Sequence, residues 1–81
     1  MNIFVANLDF NFKSEGLKEL FEEYGEVSSA KIIMDFGTGK SKGFGFVEMP
    51  DDNEAQLAIN SLNEHEINGR PIVVKEAKPR S

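Results

Sequence analysis

The 81-residue sequence contains no cysteine, a single histidine, only two arginines and no apolar run approaching the length of a membrane span. Each absence removes a class of function. Without thiols there is no disulfide framework, no thiolate zinc site and no iron–sulfur cluster, and a cytoplasmic location is unopposed. His65 stands between Glu64 and Glu66 in a turn-like stretch with no ligand partners clustered nearby, so it reads as a solvated side chain, and neither a metal nor another cofactor is expected. Met1 to Val5 run straight into a strand pattern with no basic leader before it, so no targeting segment and no membrane partner are expected. Internal repeats and low-complexity segments are also missing. The length suits one small domain with one core, expected as a monomer spanning residues 1–78 and followed by a short basic tail, residues 79–81.

The formal charge is -5, which taken alone argues against a nucleic-acid partner. The distribution reverses that conclusion. Residues 14–26 carry a net charge of -4 and residues 51–66 a net charge of -5, which leaves +4 for everything else. Both acidic segments have helical patterns, and the basic remainder is mostly strand and loop. A molecule with an acidic helix side and a basic sheet side is expected.

The centre of the chain is Lys42-Gly43-Phe44-Gly45-Phe46-Val47-Glu48-Met49. In a strand, Lys42, Phe44, Phe46 and Glu48 share one face and the glycines, Val47 and Met49 share the other. A face that mixes Lys, Phe, Phe and Glu makes a poor core, because its charges would be buried without partners. It makes a good open platform for flat rings and phosphate. The competing possibility is a strand buried on both faces, with both rings serving as core; the flanking charges count against it. The glycines on the reverse face predict close approach by another element, which we assign to a helix.

Ile3-Phe4-Val5-Ala6-Asn7-Leu8 reads as the first strand, with Ile3 and Val5 inward and Phe4 outward. Phe10 and Phe12 follow in a polar connection, where Phe12 is expected to plug the core edge. Leu17, Leu20, Phe21 and Tyr24 mark a helical stripe, with Ser14 as cap, Gly16 weakening the first turn and Gly25 as stop. Val27 to Asp35 form a second strand with Ala30 and Ile32 inward and Lys31 and Ile33 outward. The loop Phe36 to Ser41 has neither the spacing of a phosphate-binding P-loop nor a helix after it, and reads as a hairpin arm carrying Lys40 and Lys42. Pro50 closes the third strand. Asp51 and Glu54 form a capping box before a helix that buries Ala55, Ala58, Ile59 and Leu62. Ile67-Asn68-Gly69-Arg70 turns into a last, edge strand from Pro71 to Ala77, with Ile72 and Val74 inward and Val73 and Lys75 outward.

The order strand, helix, strand, strand, helix, strand is a ferredoxin-like βαββαβ α+β sandwich, a four-stranded antiparallel sheet with both helices on one face. The octamer matches the signature K/R-G-F/Y-G/A-F-V-x-F/Y of the RNA-recognition motif at seven of eight positions, with only Met49 departing, on the core side. The first strand resembles the hexamer signature of the same family. The resemblance covers essentially the whole chain and is closest to small stand-alone bacterial members. It implies that hexamer and octamer strands lie side by side at the sheet centre and that Phe4, Phe44 and Phe46 form one cluster for single-stranded RNA, with single-stranded DNA as a second candidate ligand. By the same resemblance, Lys42 pairs with a phosphate, Lys31, Lys40, Lys75 and Lys78 add to the field, and Ile33, Glu48, Val73 and Ala77 face base edges. A role in post-transcriptional regulation or RNA chaperoning is implied.

Two other classes of function compete with this one. Relatives that bind peptides on the helical side tend to lose the sheet aromatics and to carry an Arg-x-Phe-like segment; here the aromatics are kept and Arg70-Pro71-Ile72 lacks the second aromatic, though the acidic helical face remains a candidate protein surface. An acyl-phosphate hydrolase on this fold needs an arginine in an anion-binding loop. Arg70 and Arg80 lie in neither the glycine-rich loop nor beside the first strand, so no enzyme activity is expected.

Overall fold

The computed structural model describes residues 1–77. Lys78 and the tail after it lie outside the described residues. The elements are β1 (Asn2–Ala6), α1 (Ser14–Glu22), β2 (Ser29–Met34), β3 (Ser41–Glu48), α2 (Asp52–Leu62), a short pair β4 (Glu66–Ile67) and β5 (Arg70–Pro71), and β6 (Val73–Ala77). The main sheet is antiparallel with strand order β2-β3-β1-β6, so the hexamer and octamer strands are its two central members. Alternation sends Ile3, Val5, Ile32, Val47 and Val74 to one face, where they join Leu17 and Phe21 of α1 and Ala55, Ala58, Ile59 and Leu62 of α2 in one core. Among the described residues no polar or charged side chain is buried. This is the expected ferredoxin-like βαββαβ sandwich, with the opposite sheet face left to the aromatic residues.

The apolar stripe of α1 faces inward as its spacing requires. Leu17 and Phe21 are fully buried, and Leu20 and Tyr24 pack on the margin of the core. The helix begins differently from the expectation. Lys13 occupies the N-cap without a side-chain bond, and Ser14, the first helical residue, turns its Oγ away to accept from the Ile32 amide at 3.1 Å. Its hydroxyl therefore ties α1 to β2 instead of capping the helix. Gly16 is the floor of a contact: a β-carbon there would sit 3.2 Å from the Phe12 ring, which plugs the core edge as expected. Gly25 does not stop the helix, whose C-cap is Glu23 in the right-handed region. A β-carbon on Gly25 would collide with the Glu54 carboxylate, so it is the approach of α2 that requires a glycine.

In α2, Asp51 accepts from the Glu54 amide at 2.9 Å, which is half of the capping box. The reciprocal bond is absent. Glu54 reaches across to the Glu26 amide at 3.2 Å, exchanging a local cap for a link between α2 and the turn before β2.

Two further expectations are corrected. What lies against the octamer glycines is not a helix: a β-carbon on Gly45 would run into the Lys31 carbonyl of β2, and one on Gly43 would meet the Phe10 ring at 3.2 Å. The last strand also starts later than Pro71. Pro71 pairs with Glu66 and Arg70 with Ile67 in a separate hairpin, closed by Asn68 and Gly69 with φ of 52° and 82°. Positive φ at both central positions is the pattern of a type I′ turn, for which Asn-Gly is the preferred pair. The first strand likewise ends at Ala6, because Asn7 takes φ 61° and donates its Nδ2 to the Pro71 carbonyl at 2.7 Å.

Glu64 follows the α2 C-cap Asn63 with φ 68°, a conformation that costs an L-residue about 1–2 kcal/mol. Glu64→Gly should therefore stabilise the domain, offset in part by the greater freedom of glycine in the unfolded chain. The expected gain is about 0.5–1 kcal/mol, read as a rise of several degrees in thermal midpoint. A lower midpoint would contradict the strain assigned to this position.

Candidate nucleic-acid interface

Register builds the site. Phe4 of β1 lies opposite Phe46 of β3 on one side and opposite Lys75 of β6 on the other, and Phe46 lies opposite Lys31 of β2. The row across the sheet is thus Lys31, Phe46, Phe4, Lys75, two rings bracketed by two cations. Three strand spacings separate the outer pair, about 14 Å. Phe44, two residues before Phe46, adds the third ring on the same face. Ring centroids are 5.5 Å apart for Phe4 and Phe46, 5.8 Å for Phe4 and Phe44, and 6.5 Å for Phe44 and Phe46, tilted by 55°, 41° and 89°.

These separations are those of favourable tilted and edge-to-face pairs, so the rings hold one another in place. Phe46 is 41% exposed, and Phe4 and Phe44 are half-buried. None of them belongs to the core, which removes the alternative of a strand buried on both faces. The Lys75 ammonium lies 5.6 Å from the Phe4 ring centroid, within cation–π range.

The remaining candidates divide. A second row places Glu48 between Ser29 and Asn2, with Ala77 opposite Asn2 on the far side. Val73, exposed, lies opposite Ala6. Ile33 is half-buried and falls where the register between β2 and β3 shifts. Lys42 is exposed and borders a shallow depression that it shares with Phe4 and Phe44. Lys40 is not brought to the rings; it sits in the β2–β3 loop beside Phe10, Asn11 and Met34. Lys78 lies outside the described residues. Among the described residues none of Lys31, Lys42 and Lys75 is held in an ion pair, while the acidic side chains of α1 and α2 sit in the helical layer. Of the cations counted toward a basic sheet side, Lys78 and Arg80 lie outside the described residues, and Glu48 stands on the same open face as the rings.

The sequence offers no role for Phe10 and places Arg70 in a turn away from the first strand, whereas the structure brings Arg70 beside the end of β1, where it shares a depression with Phe4 and Asn7. In the structure the Arg70 guanidinium lies over the Phe10 ring, 5.5 Å from its centroid, at the edge of the same depression. The two are distant in sequence and belong to no periodic stripe, so only the unexplained apolar residue in a polar loop hinted at the contact. No group of side chains able to hold a metal ion occurs among the described residues, and none of their helices is long and apolar enough to cross a membrane.

Residues 3–73 match the family model of the RNA recognition motif. The chain belongs to the RNA recognition motif family. Within that family, the chain is 44% identical over 80 residues to the putative RNA-binding protein RbpB of a Nostoc species, covering 99% of this chain and 78% of that protein. It is 45% identical over 78 residues to a chloroplastic 29 kDa ribonucleoprotein of Arabidopsis thaliana, covering 96% of this chain but only 23% of that protein. Among solved structures it is similar to that of RNA binding protein PG1, with a TM-score of 0.95 and 49% identity over 100% of this chain and 98% of that one. A Sxl-lethal protein/RNA complex superposes on the motif with a TM-score of 0.92 at 29% identity, covering 99% of this chain and 48% of that one.

Proposed function

We propose that this RNA recognition motif binds single-stranded RNA on its open sheet face, stacking bases on Phe4 and Phe46, packing a sugar or base on Phe44 and meeting phosphates with Lys31, Lys42 and Lys75. The observation that carries the reading is the row Lys31, Phe46, Phe4, Lys75, which puts adjoining rings between two cations. Unpaired bases offer apolar faces to rings, whereas a double helix hides them. RNA-binding relatives and an RNA complex among the structural neighbours support the same ligand class. Post-transcriptional regulation or RNA chaperoning in the cytoplasm follows as the biological setting. The acidic helices weaken long-range attraction, so non-specific binding should be weak.

Titration of the chain with a randomised pool of single-stranded RNA, with DNA of matching length beside it, tests the proposal. Saturable binding that favours RNA is expected; absence of binding to either strand type overturns it. Lys42→Ala should weaken binding evenly across sequences and reduce the slope of log affinity against log salt by about one unit. An unchanged slope would remove Lys42 from the phosphate contacts.

A further inference from the structure

Phe10 is a large apolar side chain left 61% exposed in a chain whose core is otherwise complete. It is held in place from two sides. Its ring rests against the backbone of the octamer strand, where a β-carbon on Gly43 would sit 3.2 Å from the ring, and Gly43 itself has φ 82°. From the opposite end of the sequence, the β4–β5 hairpin brings the Arg70 guanidinium to 5.5 Å from the ring centroid. Asn7 secures that hairpin to the end of β1 through its bond to the Pro71 carbonyl at 2.7 Å. The pair borders a depression of about 240 Å³ that also touches Phe4, Phe44, Lys42 and Asn7. It is therefore continuous with the three-ring platform.

We propose that Phe10 and Arg70 form an additional base-binding position that takes one further unpaired nucleotide of the same RNA strand. The inference rests on the RNA reading above and extends it beyond the octamer and hexamer rings. The guanidinium covers one side of the Phe10 ring, so a base would stack on the exposed remainder of that ring or on the outer face of the guanidinium. Lys42 and Arg70 supply the positive charge that the accompanying phosphate requires, and no acidic side chain borders the depression. The volume is smaller than the ~300–1,000 Å³ of pockets that enclose a drug-sized ligand, in keeping with a single flat ring system.

The test uses short oligoribonucleotides extended by one mixed-base nucleotide at a time from either end, and for each protein compares the affinity of the extended strand with that of the shorter one. In the unaltered protein one extension step should raise affinity about tenfold, and an abasic nucleotide at that step should cancel the gain. Phe10→Leu and Arg70→Gln should bring the ratio of long-strand to short-strand affinity close to one, whereas Leu57→Ser, on the exposed side of α2, should keep the full ratio. If either variant weakens short and long strands equally, so that the ratio survives, the pair is a fastening and the additional position is overturned. A ratio of one in the unaltered protein overturns it as well, with the platform intact. Failure of the unaltered protein to bind any strand removes the RNA reading itself. Thermal melting of both variants separates a lost contact from a lost fold.

Discussion

Phe46→Ala should lower affinity for single-stranded RNA by about 1–3 kcal/mol, a factor of roughly 5 to 150, with the fold retained. Phe46 lies on the ring face opposite Phe4 in register and is flanked by Lys31 on the adjoining strand. Its truncation removes one stacking surface and leaves Phe4 and Phe44 in contact with each other, their centroids 5.8 Å apart. The structural cost is small, because the side chain is already 41% exposed and its internal partners are two tilted ring contacts worth about 0.5–1.5 kcal/mol beyond area burial. Fluorescence anisotropy with a mixed-sequence RNA, run beside urea denaturation, reads both quantities. An unchanged affinity would take Phe46 out of the interface. A loss of affinity accompanied by an equal loss of stability would show that the ring acts through folding.

The opposite face behaves in the opposite way. Phe21 is the largest fully buried side chain, reaching from α1 into the single core. Phe21→Ala should cost about 3–5 kcal/mol, the sum of lost transfer energy and the cavity left behind. A domain of this size has a net stability of only about 5–15 kcal/mol, and the lower end is the natural place for a short chain. The variant should therefore show a large fall in denaturation midpoint and a measurable unfolded fraction at ordinary temperature. Added RNA should raise its midpoint, because a ligand that binds only the folded form stabilises that form. A fall below about 1 kcal/mol would mean that the core closes around the gap far better than small cores do.

The platform and the helices were legible in the sequence because both are periodic. Alternation along Lys42 to Glu48 assigned Phe44 and Phe46 to the open face, and the spacing of Leu17, Leu20, Phe21 and Tyr24 assigned the inward side of α1. The features that escaped are local or non-periodic. Two strands of two residues each are too short to show a period, so β4 and β5 were absorbed into a turn and Pro71 into the wrong strand. Ser14 has the chemistry of a cap, but a hydroxyl also satisfies a strand amide, and the Ile32 amide won it. Gly25 and Gly45 were recognisable as special. What approaches them, a Glu54 carboxylate and a β2 carbonyl, depends on tertiary placement that one strand or helix does not encode. Phe10 and Arg70 meet for the same reason, through a hairpin whose position is set by Asn7.

The ammonium of Lys75 above Phe4 means that this ring has a tenant before any ligand arrives. An incoming base would have to evict it, and the displaced charge would then be free to swing toward the sugar–phosphate chain. Phe4 would thus contribute the difference between two occupants, lower by the roughly 0.5–1 kcal/mol that an exposed cation–ring contact is worth. Lys75 would be both the gatekeeper of that seat and its compensation.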